Sequence, residues 1–139
     1  MPNGTGRRQT VEQARAQHAA IAVGQAEGAL GNKAKEYGSL ARGLSGMVQL
    51  NGLGQTLAFL KAKARGNRAH ELVYEHVSQW VSVQLTGTNQ DLLDWIITQN
   101  SDVYRRAATE ALAYVIWLRR FAEAKGWSDD GGDGDGAAG

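Results

Sequence analysis

Proline occurs once in this chain, at Pro2, so from Asn3 onward no ring closure interrupts a helix. Alanine, leucine, glutamine, glutamate, lysine and arginine fill the middle of the sequence, and these residues have the highest helix propensities. No long segment alternates apolar and polar residues as a half-buried strand does. The chain therefore predicts an all-α fold, a compact bundle of about five to six helices with the longest helix at the C-terminus.

The boundaries follow from caps and glycines. Thr10-Val11-Glu12-Gln13 matches a capping box and starts a first helix over about 10–29. Gly31-Asn32 breaks it. A second helix over about 33–50 aligns Ala34, Tyr37, Leu40, Ala41 and Leu44, with Gly43 and Gly46 as points of bending. Asn51-Gly52 turns the chain into a third helix over about 53–65, with Leu53, Leu57 and Leu60 in line. Gly66-Asn67 turns again. A fourth helix over about 68–86 aligns Leu72, Val73, His76, Val77, Trp80 and Val83. A short fifth helix holds Leu92, Leu93, Trp95, Ile96 and Ile97. Ser101, with Asp102 behind it, is expected to cap a last helix over about 102–126.

In that last helix Tyr104, Ala108, Ala111, Val115, Leu118 and Ala122 form a core stripe. Yet Ala111 to Leu118 is apolar on every side. Such a segment either sits at the centre of the bundle or docks a second face on a partner. Ile116 and Trp117, pointing away from the stripe, are the candidates for that second face.

At 139 residues the chain predicts one domain, over 10–127. A flexible segment over 1–9 and a disordered, acidic, Gly-rich tail over 128–139 flank it. The tail conceals a basic globule. Removing its four Asp leaves ten of the 14 acidic residues against all 15 basic ones. Such a surface permits a polyanionic partner. Cysteine is absent, which excludes a disulfide framework and thiolate metal sites. No apolar stretch resembles a signal peptide or a membrane span, and a cytoplasmic location is expected.

Few residues could carry chemistry. His70 and His76 are six apart and fall on different faces of a helix, a poor spacing for shared metal ligation. Gly52-x-Gly54 is too short for a phosphate-cradling loop, and no Gly-Lys-Ser/Thr follows. No metal, cofactor or catalytic group is expected. One enzymatic alternative rests on Arg65-x-x-x-x-His70, which resembles the Arg-x4-6-His signature of HEPN-type ribonucleases, with His as acid/base and Arg holding phosphate charge. Arg65 is followed there by Gly66 rather than by a polar residue. A second alternative is a helical protein–protein adaptor with no RNA contact.

The basic residues offer more. Arg106 and Arg119 each have a Glu at i+4 and are expected to pair with it. Lys61, Lys63, Arg65, Arg68, Arg105 and Arg120 have no such local partner. Spread cations suit phosphates strung along an extended strand, and an ordinary solvated face explains them equally.

Four blocks, Thr10–Ala16, Tyr37–Arg42, Asn51–Lys63, and Tyr104–Leu112 with Trp117–Ala124, resemble in order and spacing the small helical subunit of the type III-B CRISPR–Cas RNA-targeting complex, the fifth-subunit family of the Cmr complex. The likeness spans about residues 10–125. It implies a non-catalytic scaffold in antiviral defence, stacking with further copies of itself beside the backbone subunits that wrap CRISPR RNA. Target RNA would lie in the groove between the two filaments. Under this resemblance Lys61, Lys63, Arg65, Arg68, Arg105, Arg120, Arg15 and Arg42 are candidate phosphate contacts. Gln55, Thr56, Ile116 and Trp117 are candidate subunit contacts.

Overall fold

The computed structural model describes residues 9–127, so the expected acidic tail and all but the last residue of the expected flexible N-terminal segment lie outside the described residues. Six α-helices follow one another: α1 (Val11–Leu30), α2 (Ala34–Asn51), α3 (Leu53–Ala64), α4 (Arg68–Thr86), α5 (Leu92–Ile96) and α6 (Ser101–Ala124). No strand occurs among the described residues. At 24 residues α6 is the longest single α-helix. However, the longest continuous helical stretch is not C-terminal. It runs from Val11 to Asn51, because the Gly31–Lys33 break is itself one turn of 3-10 helix.

The α1 start is the expected capping box, with the Thr10 hydroxyl accepting from Gln13 N–H and the Gln13 side chain accepting from Thr10 N–H. The α6 start differs from expectation. Asn100, not Ser101, is the cap, its side chain accepting from Val103 N–H at 2.9 Å. Gly43 and Gly46 do not interrupt α2. Gly52 has a φ of 88°, the left-handed region open to glycine, and so lets α2 and α3 meet across a single residue.

The core gathers α1, α2, α3, α4 and α6 around α4, which packs on all the others. Leu53, Leu57 and Leu60 are fully buried, as their alignment predicts. Each contributes about 2–3 kcal/mol of transfer free energy. Along α4 the expected stripe is buried as far as Trp80, whereas Val83 is exposed. In α6 the buried line is Ala107, Ala111, Tyr114, Val115, Leu118 and Ala122, with Tyr104 and Ala108 only half-buried. The all-round apolar segment is not fully enclosed: Ile116 is 48% exposed, so α6 keeps an open second face.

Gly38 reveals a joint between the chain's two halves. A Cβ there would lie 2.6 Å from Trp127 Cβ and closer still to the Trp127 carbonyl oxygen. Only a glycine lets the end of α6 fold back onto α2, with Trp127 buried edge-on against Tyr37.

Candidate functional site

The blocks singled out in the sequence meet one another inside the fold. Gly54 N–H donates to the Tyr104 hydroxyl at 2.7 Å, tying the start of α3 to the first turn of α6. This satisfies one of the donors that a helix N-terminus leaves free. A side chain at Gly54 would press on that hydroxyl at 3.0 Å. Arg15 Nε and Nη2 donate to the two Glu110 oxygens at 2.6 and 3.0 Å, and Trp80 Nε1 donates to the same carboxylate at 2.7 Å. Burial pushes the Glu110 carboxyl up, but the hydrogen bonds from Arg15 and Trp80 outweigh it and hold the pKa below the usual carboxylate value. Arg15, α1's candidate phosphate contact, is thus a structural tie between α1 and α6. Glu110 is not free for Arg106, and the expected i,i+4 pair does not form.

Beside this tie, α1 and α4 exchange a reciprocal pair of histidine–glutamine contacts. His18 bonds Gln79 Oε1 at 3.0 Å and the Tyr114 hydroxyl at 2.6 Å. His76 bonds Gln25 Oε1 at 3.2 Å and the Tyr37 hydroxyl at 2.7 Å. An amide oxygen only accepts, so each Nε2 carries a proton, and in the neutral ring each Nδ1 then accepts from tyrosine. Burial lowers the His76 pKa to about 4, with coupling to the neighbouring His18 and the positive charge of Arg68 adding to the effect. Burial lowers that of His18 as well. His76 is the polar core residue that its place in the α4 stripe predicts.

Most of the nominated cations have partners. Lys61 Nζ bridges both Asp91 oxygens at 3.2 Å, fixing the cap of α5, and lies over the Tyr74 ring. Arg68 pairs with Glu71 at 2.8 Å, Arg105 with Asp102 at 2.5 Å, and Arg120 with Glu123 at 3.2 Å. Glu123 also takes Arg119, as its i+4 spacing predicts. The expectation that Arg68, Arg105 and Arg120 lack local partners is corrected, and Lys61, without a local partner as expected, finds a distant one. The i+4 rule overlooks carboxylates at i+3 and across the fold. Arg42, at the end of the second block, is exposed on α2. Lys63 and Arg65 form no ion pair among the described residues, and both are exposed at the α3–α4 turn.

That turn also displays Phe59, one helical turn before Lys63. Among the described residues Phe59 is the one exposed aromatic side chain, at 37%. His70, in the first turn of α4, sets its ring against Phe59 at 66°, centroids 5.8 Å apart. Its Nδ1 is buried without a hydrogen-bond partner. Burial lowers the His70 pKa, and Lys63 adds to the effect against an opposing contribution from Glu36. Sequence reasoning passes over Phe59, although its place off the Leu53–Leu57–Leu60 stripe makes it legible as an outward residue.

The subunit-contact nominees divide. Thr56 is 2% exposed and donates to Gly52 O at 2.9 Å, so it stabilises its own helix start and offers nothing to a neighbour. Gln55 is exposed on α3. Ile116 and Trp117 line a cavity of about 410 Å³ between α1 and α6, with Arg120 and Glu12 at its charged rim. Trp117 is half-buried and stacked on Phe121. No described helix is long and apolar enough to cross a membrane.

Comparison with known proteins places these surfaces in a family. The family model described as "CRISPR-associated protein (Cas_Cmr5)" matches residues 11–125. A crystal structure of a CRISPR-associated Cmr5 family protein from Thermus thermophilus superposes with a TM-score of 0.68 at 32% identity, covering 84% of this chain and 97% of that one.

Proposed function

Because the chain belongs to the Cmr5 family of CRISPR-associated proteins, we propose that it is the non-catalytic small subunit of an RNA-guided type III-B CRISPR complex, where it helps hold target RNA. It packs beside the backbone subunits and further copies of itself. The observation that carries the RNA role is the pair Lys63 and Arg65, exposed and without ion pairs among the described residues at the α3–α4 turn. A phosphate can reach them without displacing a carboxylate, unlike Lys61, Arg68, Arg105 or Arg120. Arg15 is withdrawn from this role, since its guanidinium is committed to Glu110. Single cations grip the backbone and carry no base reading, which suits a subunit that must accept any guided sequence.

The subunit-contact role falls to Ile116 and Trp117, whose apolar surface is open between two charged rims, with Gln55 as a polar contact on α3. The experiment that tests the RNA role is charge reversal within the assembled complex. Lys63→Glu with Arg65→Glu is expected to weaken target-RNA retention and to flatten its salt dependence, since about one counterion per lost phosphate contact is no longer released. Arg105→Glu, whose side chain is already tied to Asp102, is expected to do much less. Equal retention by all three proteins refutes the assignment.

A further inference from the structure

The surroundings of Lys63 and Arg65 extend this reading from the phosphate to the base. Phe59 stands four residues before Lys63 on α3, so both project from one face of the helix about 6 Å apart along its axis. An aromatic ring outside the core is unusual in this protein. Of its ten Phe, Trp and Tyr side chains, all within the described residues, the other nine are buried or half-buried. The neighbours on the same strip, Gln55, Ala58 and Ala62, are exposed and uncharged. His70 holds the ring from the α4 side, and burial together with Lys63 lowers its pKa against the opposing Glu36. Single-stranded nucleic acid is bound by this combination: an aromatic face for a base and flanking cations for the backbone.

We infer that Phe59 is a stacking platform for an unpaired ribonucleotide base, buttressed by His70, with Lys63 on the same helix face holding the adjoining phosphate. The inference rests on the RNA-contacting reading above. Stacking is indifferent to base identity, because every base has a π-face.

The test titrates the full-length chain at low salt with a short single-stranded RNA carrying 2-aminopurine, whose fluorescence is quenched on stacking. A matching RNA, abasic at that position, serves as the control, and NMR follows binding up to millimolar RNA. Wild type is expected to quench the probe and to prefer it to the abasic RNA. Phe59→Ala is expected to abolish quenching and lose about 5- to 150-fold in affinity, the range for stacked bases. Phe59→Trp is expected to restore both. Lys63→Glu with Arg65→Glu is expected to weaken both RNAs alike. Phe59 is exposed, so circular dichroism should show all variants folded. Absence of binding by wild type, or equal quenching by Phe59→Ala, overturns the inference. Loss of subunit co-purification in Phe59→Ala with unchanged RNA affinity also overturns it and makes the patch a protein contact. If charge reversal weakens RNA retention by the complex while Phe59→Ala does not, the stacking site fails and the phosphate reading stands. If neither variant has an effect, both fail.

Discussion

Glu110→Ala is expected to cost the fold about 3 kcal/mol. The carboxylate takes two bonds from Arg15 and one from Trp80, and both charged side chains are largely enclosed, at 13% and 16% exposure. Truncating one partner of a buried ion pair costs about 3–5 kcal/mol, since the other charge is left uncompensated. Here the lower end applies. Arg15 keeps Glu12 at 3.4 Å, a weak exposed partner that recovers part of the loss. The stranded Trp80 N–H adds about 1 kcal/mol. For a domain of this size the sum corresponds to a fall in Tm of about 10 °C. Urea unfolding followed by far-UV circular dichroism measures it. The same logic makes the double replacement Arg15→Leu with Glu110→Leu cheaper than Glu110→Ala, because it leaves no charge stranded. A cost below about 1 kcal/mol for Glu110→Ala, the value of an exposed pair, refutes the burial argument. A double variant costing as much as both singles together refutes it equally.

Stability is expected to fall on acidification below the ordinary histidine range. His76 has its pKa depressed to about 4 in the fold, so the unfolded chain binds that proton more tightly. The stabilisation is complete above about pH 6.5 and is lost as pH falls towards 4, at about 1.4 kcal/mol per pH unit at the steepest. Urea midpoints across this range check it, and His76→Gln should flatten the profile. Gly38→Ala gains about 1 kcal/mol of helix propensity but collides with Trp127 backbone that has little room to yield. The net result should be destabilising by about 1–2 kcal/mol, read by the same denaturation together with increased Trp127 accessibility to quenchers. Ile116→Asp puts a charge on the open apolar face of α6 and should leave the isolated chain folded while reducing co-purification with other subunits. Unchanged co-purification would remove that face from the interface.

What the sequence discloses here is what local chemistry decides. Helix order, the Thr10 capping box and the Leu53–Leu57–Leu60 stripe follow from spacing within a few residues, and all appear as expected. The misplacements come from partners distant in sequence and from the carboxylates three residues from Arg68, Arg105 and Arg120. The i+4 rule pairs Arg106 with Glu110, yet Glu110 is claimed by Arg15, 95 residues away. Lys61 reads as unpartnered because Asp91 lies 30 residues on. Thr56 reads as available to a neighbour because its hydroxyl masks its place at i+3 on the buried Leu53–Leu57–Leu60 stripe. The quoted blocks carry more information than their residue types suggest. They mark where Gly54 meets Tyr104, where Arg15 meets Glu110 and where Gly38 admits Trp127. Much of what is distinctive in this sequence therefore builds the bundle.

The most direct test of the account is purification of the tagged, full-length protein from its native cell, with sequencing of the RNA that accompanies it. Short CRISPR-derived RNAs recovered together with several partner proteins are the expected result. Recovery of the protein alone and free of RNA would contradict its role in an RNA-guided complex.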